Sequence, residues 1–370
     1  MSKAATIKKW VGHKLDVAID RRLQRLSGAE DIAKVCVMPD VHLAGDVCNG
    51  VAVATKQLIY PQCVGGDIGC GYLSVDIGTC EVNENIAAKL LNEIQRAIPI
   101  NKHSACDRPD FKTELSSPAL QKALSREGRL QLGTLGRGNH FVELQSNHDN
   151  ELSLLIHSGS RAMGQLISAH HLKHAIVDRA SKLKYIDAET DAGKELLNDL
   201  DWARQYAAAN RLAMLDAIER KVLPAIGLKV DRETLIHLDH NHVQQETFDG
   251  ELLWVHRKGA QALPRGQTSL IPGSMGTATY LVEGRGNREA LNSCSHGAGR
   301  AMSRTEAAAR ISAKALRREM NNVWFDHRKI ASLFDEAPSA YKNIRKVMKA
   351  QKELVRIVDQ RRPILNFKGR

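Results

Sequence analysis

The chain has 370 residues, enough for two average domains or one large domain with a substantial core. Hydrophobic residues make up 43% of it, yet no run approaches the roughly 20 apolar residues of a membrane span, so we expect no membrane partner. The first ten residues, MSKAATIKKW, lack the apolar centre of a secretion signal. Seven irregularly spaced cysteines (36, 48, 63, 70, 80, 106 and 294) argue against a disulfide framework and favour a reducing, cytoplasmic location.

The positive charge is concentrated in one region. Residues 300–370 contain 18 Lys/Arg and 7 Asp/Glu, a net charge of +11, which equals the net charge of the whole chain. Such clustering is typical of a surface that binds a polyanion, although a solvated helical face is the simpler explanation for a charge run alone. The phosphate-type motifs described below shift the balance toward nucleic acid.

The apolar patterns predict a mixed α/β (α+β) fold. Predicted strands cover 34–40, 50–55, 72–78, 152–160, 234–246, 252–257 and 277–283, and predicted helices cover 86–98, 161–222, 304–320 and 338–360. The sequence contains no repeat and no Pro/Ser-rich linker. We therefore expect one large domain over 1–370, with a helical insertion at about 161–224 and a basic helical part at about 300–370.

The first candidate site is the stretch VGGDIGCG (64–71). Asp67 and Cys70 lie three residues apart in a turn that its glycines make sharp. A carboxylate and a thiolate at that spacing can converge on one cation, and a thiolate can bridge two. A tight turn with a buried free cysteine explains this stretch equally well.

Three histidines occupy matching positions beside polar or glycine turns that adjoin apolar runs: His140 in GRGNHFVEL, His157 in LLIHSGSR and His240 in HLDHNHVQQE. Any one of the 15 histidines is more often a satisfied polar group than a ligand. Three of them together with the Asp-Cys turn predict a metal centre. Five ligands exceed the needs of one tetrahedral zinc, which indicates two ions sharing the cysteine. A carboxylate and open positions favour a catalytic ion such as manganese, whereas affinity alone favours zinc or copper.

Four stretches have the parts of an anion-binding turn, namely glycine, a hydroxyl or backbone donor, and often a cation. They are HSGSR (157–161), RKGA (257–260), IPGSMGTATY (271–280) and SHGAGR (295–300). In the last of these, His296 is surrounded by residues with almost no side-chain bulk, so a phosphate can approach the backbone. Each stretch is a weak signal alone, but together they predict phosphate binding. The P-loop, the Rossmann fingerprint and H-E-x-x-H are all missing, which argues against standard NTPases, dehydrogenases and metalloproteases.

The ordered set of motifs resembles the RtcB-type RNA ligase family. The matching stretches are MPDVHLAGDVCNGVAVAT (38–55), VGGDIGCG, LGRGNHFVEL, HSGSR, DHNHV, RKGA, IPGSMGTATY, SCSHGAGRAMSR and PSAYKNI. The resemblance extends from about residue 34 to the terminal FKGR. The first 30 residues and the helical insertion at 165–235 add little to it.

This resemblance implies an enzyme that joins RNA 3′-phosphate or 2′,3′-cyclic phosphate ends to 5′-hydroxyl ends, in RNA repair or tRNA splicing. It implies GTP and two Mn²⁺ ions as cofactors. His296 would attack the α-phosphorus of GTP to form a histidine–GMP adduct, with Asp40 orienting the ring. The GMP would then pass to the RNA 3′-phosphate, giving an activated 3′-pp-G end.

The resemblance also assigns roles to other side chains. The implied metal ligands are Asp67, Cys70, His140, His157 and His240, with Cys70 bridging. The implied nucleotide contacts are Asn139, Glu143, Ser274, Thr279, Gly297, Ala298, Tyr341 and Lys368. Candidates for binding the RNA ends are Arg161, Asn241, Lys258 and Arg300. Thr279 stands where the family usually has a serine, so that contact differs in detail.

Two other functions remain open at this level. A dinuclear metal phosphoesterase that processes RNA ends without joining them is compatible with the ligand set alone. A non-catalytic RNA-binding protein is compatible with the basic region, but it needs neither Cys70 nor His296. The chain is shorter than many family members, which leaves open the RNA that it acts on and the need for an activating protein.

Overall fold

The computed structural model describes residues 4–103 and 114–370. The strands are β1 (Thr6–Lys9), β2 (Ile32–His42), β3 (Asn49–Thr55), β4 (Leu58–Ile59), β5 (Gly71–Thr79), β6 (Phe141–Ser146), β7 (Glu151–Ser158), β8 (Ile176–Val177), β9 (Lys184–Asp187), β10 (Asp231–Asp239), β11 (Asn241–Phe248), β12 (Glu251–Lys258), β13 (Ala260–Ala262), β14 (Thr268–Pro272), β15 (Thr279–Gly284), β16 (Ser293–Ser295) and β17 (Val355–Lys368). The α-helices are α1 (Val17–Ser27), α2 (Glu84–Ala97), α3 (Pro118–Ala123), α4 (Arg129–Gln131), α5 (Arg161–His174), α6 (Asp191–Lys221), α7 (Arg304–Arg310), α8 (Ala313–Glu319) and α9 (Ile344–Ala350).

A five-stranded sheet, in the order β1-β2-β3-β12-β11, is buried on both faces in its centre. Along β2, Val35 and Val37 belong to one apolar cluster, whereas Cys36 and Met38 belong to another. This alternation arises because successive side chains of a strand point to opposite faces of the sheet. Burial on both sides allows the end of β2 to carry Asp40, which is fully buried, into the interior.

A seven-stranded sheet, in the order β10-β5-β7-β6-β17-β15-β14, packs one face against α2 and α6. Leu73, Leu144, Leu154 and Phe367 come from four of its strands and join Leu90 of α2 in one apolar cluster. Because side chains alternate, the residues next to these point to the opposite face of the sheet. The apolar core thus fixes which residues of each strand are available for a site on the other face.

That opposite face is polar although it is buried. Tyr72, Glu143, His157 and Lys368 lie on it, in β5, β6, β7 and β17. All four line a cavity of about 1050 Å³. The period-two pattern of these strands therefore separates a core face from a site face.

The two large sheets meet at His240, the single residue between β10 and β11. Its amide donates a hydrogen bond to the Cys70 carbonyl at 2.8 Å, and its own carbonyl accepts one from the Ala260 amide at 3.2 Å. A small sheet of β13 and β16 pairs Ala260 with Ser295, directly before His296. Four of the motif-bearing segments therefore converge at this junction.

The mixed α/β class predicted from the sequence is confirmed. Strands occur at each predicted segment, as β2, β3, β5, β7, the pair β10 and β11, β12, and β15, and the helix predicted over 86–98 is α2. The single strand predicted over 234–246 is divided by His240, because β10 and β11 pair with different sheets.

The prediction of continuous helix over 161–222 is wrong between α5 and α6. Strands β8 and β9 occupy part of this interval, and β9 pairs with β4. The α6 helix begins only after Thr190, whose hydroxyl accepts a hydrogen bond from the Gly193 amide as an N-cap. The insertion predicted at 161–224 therefore contains two helices and part of a small sheet.

The prediction of helix over 338–360 is wrong beyond Ala350. Strand β17 begins at Val355 and runs between β15 and β6, so it lies inside the seven-stranded sheet. Pairing on both edges outweighs the local sequence, which has charged residues and Pro363. The backbone accommodates Pro363 next to a shift of register against β6. The basic C-terminal part is therefore α-helical only in α7, α8 and α9, and it also contains 3-10 helices at His327–Glu336 and Pro338–Ala340.

Two predictions, a reducing environment and no membrane partner, depend on the cysteines and on the length of the apolar segments. Cys36, Cys48, Cys63, Cys70, Cys80 and Cys294 are free thiols, and Cys106 lies outside the described residues. Within residues 4–103 and 114–370, no helix has the length and apolar character needed to cross a bilayer.

Candidate active site

Five side chains predicted as metal ligands lie in two groups that share Cys70. Asp67, Cys70 and His140 form one group, and Cys70, His157 and His240 form the other, with the ligand atoms of each group within 4.8 Å of one another. The Cys70 Sγ lies 3.2 Å from His157 Nε2 and 3.6 Å from His140 Nε2. Two atoms bound to one ion at about 2.1–2.3 Å and a near-tetrahedral angle lie roughly 3.5 Å apart. The donor set therefore fits two divalent ions bridged by the thiolate.

Backbone carbonyls orient two of the imidazoles. Nδ1 of His140 donates to the Leu135 carbonyl at 2.9 Å, and Nδ1 of His157 donates to the Asn139 carbonyl at 3.2 Å. These bonds leave Nε2 of each ring with a lone pair directed at the cluster, a usual arrangement for metal-bound histidine. Nδ1 of His240 is buried and has no hydrogen-bond partner among the described residues.

The turn that carries Asp67 is closely packed around the carboxylate. A Cβ atom on Gly159 would lie 2.2 Å from Oδ1 of Asp67. This Oδ1 is buried and has no hydrogen-bond partner among the described residues. A buried carboxylate oxygen without a donor is costly, and a coordinated cation would satisfy it. The glycine of HSGSR thus makes room for Asp67 rather than for a phosphate.

Burial sets the protonation of the cluster. It lowers the pKa of His157 and of His240 well below the ordinary value, and the neighbouring imidazoles lower it further. Both rings are therefore neutral at pH 7, the form that binds metal. Burial and the Asp67 carboxylate raise the pKa of the Cys70 thiol well above its ordinary value. A coordinated divalent cation would reverse that preference, because it displaces the thiol proton.

The residue predicted as the nucleophile, His296, is held by Asp40. Its Nδ1 lies 2.6 Å from Asp40 Oδ2, which also accepts the backbone amides of His296 and Gly297 at 3.1 and 3.3 Å. Burial alone would raise the pKa of Asp40, but the charge and hydrogen bond of His296 outweigh it and hold that pKa below its ordinary value. An ionised Asp40 keeps the proton on Nδ1 and leaves Nε2 as the nucleophilic nitrogen. The His240 ring centroid is 4.8 Å from that of His296, so the predicted nucleophile adjoins a predicted metal ligand.

The cavity in front of His296 has the size of a nucleotide site. It is lined by ten of the predicted site residues, namely Asn139, Glu143, His157, Ser274, His296, Gly297, Ala298, Arg300, Tyr341 and Lys368. It therefore brings the predicted nucleophile, one predicted metal ligand and most predicted nucleotide contacts to a common space.

Glu143 lies on the site face of β6 and is 2% exposed. Its carboxylate accepts hydrogen bonds from Asn366 at 2.6 Å and Gln145 at 2.7 Å. Burial nevertheless raises the pKa of Glu143 to about 7. The Thr279 hydroxyl, which does not line the cavity, accepts a hydrogen bond from the same Gln145 amide at 2.7 Å. Thr279 thus acts on the cavity through Gln145 and Glu143.

Glu336, which sequence reasoning missed, organises one wall of the cavity. This buried carboxylate accepts the Tyr341 hydroxyl at 2.7 Å and forms ion pairs with Lys368 and Arg304. Burial opposes ionisation of Glu336, but Lys368 and Arg304 lower its pKa to about 2. The Arg300 guanidinium lies 5.1 Å from the centre of the Tyr341 ring. No motif points to Glu336, since the cations that pair with it, Arg304 and Lys368, each lie 32 residues away in the sequence.

Among the residues predicted to bind RNA ends, only Arg300 lines this cavity. Arg161 donates to the Thr134 hydroxyl and the Ile100 carbonyl, both at 3.1 Å. Lys258 donates to the carbonyls of Ala44 at 3.1 Å and Val47 at 2.6 Å.

Asn241 links two motifs. It donates to the Asp67 carbonyl at 3.0 Å and accepts the Gly259 amide at 2.8 Å. Its amide therefore holds the metal-ligand turn against RKGA.

His42 is a further residue that sequence reasoning did not single out, although it ends the MPDVH motif. It lines the cavity, and its ring stacks on His296 with centroids 6.3 Å apart and an interplanar angle of 21°. Its Nδ1 lies 2.9 Å from the Asp40 carbonyl. Burial lowers the pKa of His42 to about 4, so the ring adjoining the nucleophile is neutral at pH 7.

Comparison with known proteins places this geometry in a family. The sequence matches the family described as tRNA-splicing ligase RtcB over residues 22–117 and 112–369. It is 34% identical to the RNA-splicing ligase RtcB of Escherichia coli strain K12, over 99% of this chain and 98% of that protein. It is 28% identical to the tRNA-splicing ligase RtcB of Nanoarchaeum equitans, over 91% of this chain and 88% of that protein. On the extent of these matches, the chain belongs to the RtcB family.

Proposed function

We propose that this protein is an RNA ligase that joins 3′-phosphate or 2′,3′-cyclic phosphate ends to 5′-hydroxyl ends through a guanylate carried on His296. The observation that carries the proposal is the position of His296. Its ring is bound to buried Asp40 at 2.6 Å, stands beside the His240 ligand and faces a cavity of about 1050 Å³. Family membership and the names of the relatives support the same activity.

The first step forms a bond between His296 Nε2 and the α-phosphorus of GTP, while the bond to the bridging oxygen breaks and pyrophosphate leaves. The ring then carries positive charge, which the ionised Asp40 carboxylate stabilises through Nδ1–H. The amides of Gly297 and Ala298 flank the nucleophile among residues too small to obstruct a nucleotide. The Ala298 amide donates to the Pro272 carbonyl at 3.0 Å, so this wall is held in place.

In the next steps an oxygen of the RNA 3′-phosphate takes the guanylate from His296, giving an RNA-3′-pp-G end. The 5′-hydroxyl oxygen then bonds to the RNA phosphorus, its proton is released and GMP leaves. A cyclic phosphate must first be opened by water to the 3′-phosphate. Guanylylation thus converts a phosphate oxygen, which is a poor leaving group, into GMP.

Two manganese ions held by Asp67, Cys70, His140, His157 and His240 are part of the proposal. When bound, such ions neutralise phosphate oxygens and stabilise the departing pyrophosphate. The side chains of the protein contribute the preformed cluster and a water-poor environment around it. Guanine would lie against Glu143, whose ionised carboxylate matches the two donor groups on the base edge.

The decisive experiment incubates the protein with GTP labelled at the α-phosphate and Mn²⁺. We expect an acid-labile, alkali-stable labelled protein that is lost in His296→Ala, followed by joining of a 3′-phosphate RNA to a 5′-hydroxyl RNA. A folded, metal-loaded protein that opens cyclic phosphates but takes up no label would instead support a dinuclear phosphoesterase. A protein that binds RNA and catalyses neither reaction would contradict both.

A further inference from the structure

Arg211 of α6 is a buried cation beneath the metal cluster. Its side chain is 2% exposed, and its guanidinium makes three hydrogen bonds. Nη1 donates to the carbonyls of Ser158 at 2.7 Å and Gly69 at 2.8 Å, and Nε donates to Nε2 of His237 at 2.9 Å. Burial and the charge of Arg211 lower the pKa of His237 to about 3, so that ring is neutral and can accept.

Each partner of Arg211 lies close to a metal ligand in the sequence. Gly69 directly precedes Cys70, and Ser158 directly follows His157. His237 is in β10, the strand that ends before the ligand His240. One planar side chain therefore ties together the three segments that supply the group of Cys70, His157 and His240.

The preceding residue, Asn210, makes equivalent contacts to the segment that orients the remaining histidine. Its Oδ1 accepts the amides of Gly133 at 2.7 Å and Thr134 at 3.1 Å. The next residue along that loop, Leu135, provides the carbonyl that fixes His140. Asn210 and Arg211 therefore contact the segments that carry or orient all four of the predicted sulfur and nitrogen ligands.

The helix also packs directly on the ligand turn. Gly69 has a φ of +69°, and a Cβ there would lie 2.9 Å from Cα of Arg204 in α6. Such close approach leaves the turn little freedom to move relative to the helix. An arginine provides donors in a fixed planar fork, which holds several acceptors in one relative geometry better than a lysine does.

We infer that Arg211, supported by Asn210, is a positioning residue that sets the geometry of the metal cluster and thereby its affinity for divalent ions. This inference rests on the metal centre of the proposed function. Hydrogen bonds made directly to metal ligands are typically worth about 10- to 100-fold in affinity, and since Arg211 bonds to residues next to the ligands, we place its effect at the lower end of that range. The helical insertion, to which the family motifs do not extend, therefore carries part of the active site.

The test measures metal binding, not ligation. Metal-free protein is titrated with Co²⁺, and the thiolate-to-cobalt charge-transfer band reports coordination by Cys70. We expect Arg211→Lys to weaken Co²⁺ binding by about tenfold and to alter the shape of the band. The matched control is Arg361→Lys, which changes a buried arginine of β17 that donates to the Asp76 carboxylate at 2.7 Å. We expect it to lower the melting temperature and leave Co²⁺ affinity unchanged.

A second variant covers the case in which Arg211→Lys does not fold. His237→Leu removes one of the three bonds, leaves the guanidinium in place and should weaken Co²⁺ binding to a smaller degree. Unchanged binding in the folded Arg211 and His237 variants would overturn the inference, as would equal losses in Arg211→Lys and Arg361→Lys. If the unsubstituted protein gave no charge-transfer band, the proposed metal centre itself would be wrong.

Discussion

Oδ2 of Asp40 lies 2.6 Å from Nδ1 of His296 and also accepts the backbone amide of the same residue at 3.1 Å. One carboxylate oxygen therefore fixes both the ring and the main chain of the proposed nucleophile. Because Asp40 is fully buried, water cannot replace it as an acceptor. The arrangement determines which ring nitrogen carries the proton.

The substitution Asp40→Asn should reduce guanylylation of His296 by about 10³-fold or more, because an amide can favour the tautomer with the proton on Nε2. The rate of labelling with α-labelled GTP measures this effect. Asp216→Asn, at a half-exposed carboxylate of α6, is the control and should label at the unsubstituted rate. Normal labelling of a folded Asp40→Asn protein would contradict the orienting role.

Substitutions of different predicted ligands should cause different losses of bound metal. Since Cys70 belongs to both groups, Cys70→Ala should weaken both ions, whereas His157→Ala should weaken one. Metal content after gel filtration in dilute Mn²⁺, measured by mass spectrometry, distinguishes these outcomes. Cys63→Ala removes another buried cysteine and should leave the metal content unchanged. Equal losses in the Cys70 and His157 variants would argue against a shared thiolate.

Glu143 should make nucleotide affinity depend on pH. Its pKa is raised to about 7 by burial, so the ionised carboxylate proposed to bind guanine is depleted below that pH. GTP affinity should therefore fall by up to about tenfold for each pH unit below 7. Glu143→Gln should bind more weakly and with a flatter pH profile. Calorimetric titration at several pH values checks this, and an unchanged slope in the variant would exclude Glu143 as the cause.

The same raised pKa has the opposite consequence for the nucleotide-free fold. The folded protein holds the Glu143 proton more tightly than the unfolded chain, so this stabilisation is fully present below pH 4.5 and is lost as the pH rises toward 7. Melting temperatures of the unsubstituted protein and Glu143→Gln should therefore diverge across this interval, with the variant relatively more stable near pH 7.

Gly299 should be intolerant of a side chain. It has a φ of +71°, and a Cβ would lie 2.0 Å from the Asp40 carbonyl oxygen. Gly299→Ala should lower the free energy of unfolding by about 3 kcal/mol, from backbone strain and overpacking together. Gly45→Ala, with a φ of +56° and no atom within 4 Å of the new Cβ, should cost only about 1 kcal/mol. Urea denaturation compares the two, and equal losses would show that the contact with Asp40 is unimportant.

The basic C-terminal region contains two kinds of cation. Arg300, Arg304, Lys368 and Arg370 pair with Asp335 or Glu336. Arg317 and Arg318 of α8 are exposed and have no salt bridge among the described residues. The second kind is therefore available for RNA phosphates.

Replacing Arg317 and Arg318 by Glu should weaken RNA binding and reduce its dependence on salt. Each lost phosphate contact lowers the slope of log K against log salt by about 0.7 for single-stranded RNA. Fluorescence anisotropy at several salt concentrations measures the slope. The same replacement at Arg220 and Lys221, adjacent exposed cations at the end of α6, should leave it unchanged. A slope unaffected by the α8 substitutions would place the RNA elsewhere.

The sequence predicted the parts of the site that depend on local chemistry. Glycine turns and ligand types identified Asp67 and Cys70, and an apolar run followed by a polar turn identified His157. The small residues around His296 predicted that a phosphate can approach the backbone there. These signals can be read from the sequence because neighbouring residues form the turn, supply the ligand and leave space around it.

Residues that act through distant partners gave no such signal. Glu336 is buried among cations supplied by β17 and α7, and Arg211 bonds to three segments that are far apart in sequence. Strand β17 was predicted as helix in part because its structure depends on pairing with β15 and β6. Such features become visible only when the fold brings the partners together.

The position of β17 has a consequence for how the protein is made. Residues 355–368 insert between two strands of the same sheet that are synthesised much earlier, so β6 exposes an unpaired edge until they arrive. An exposed edge strand can pair with other chains. During translation the incomplete sheet is therefore open to such pairing, and the wall of the cavity that contains Lys368 cannot form before this strand has left the ribosome.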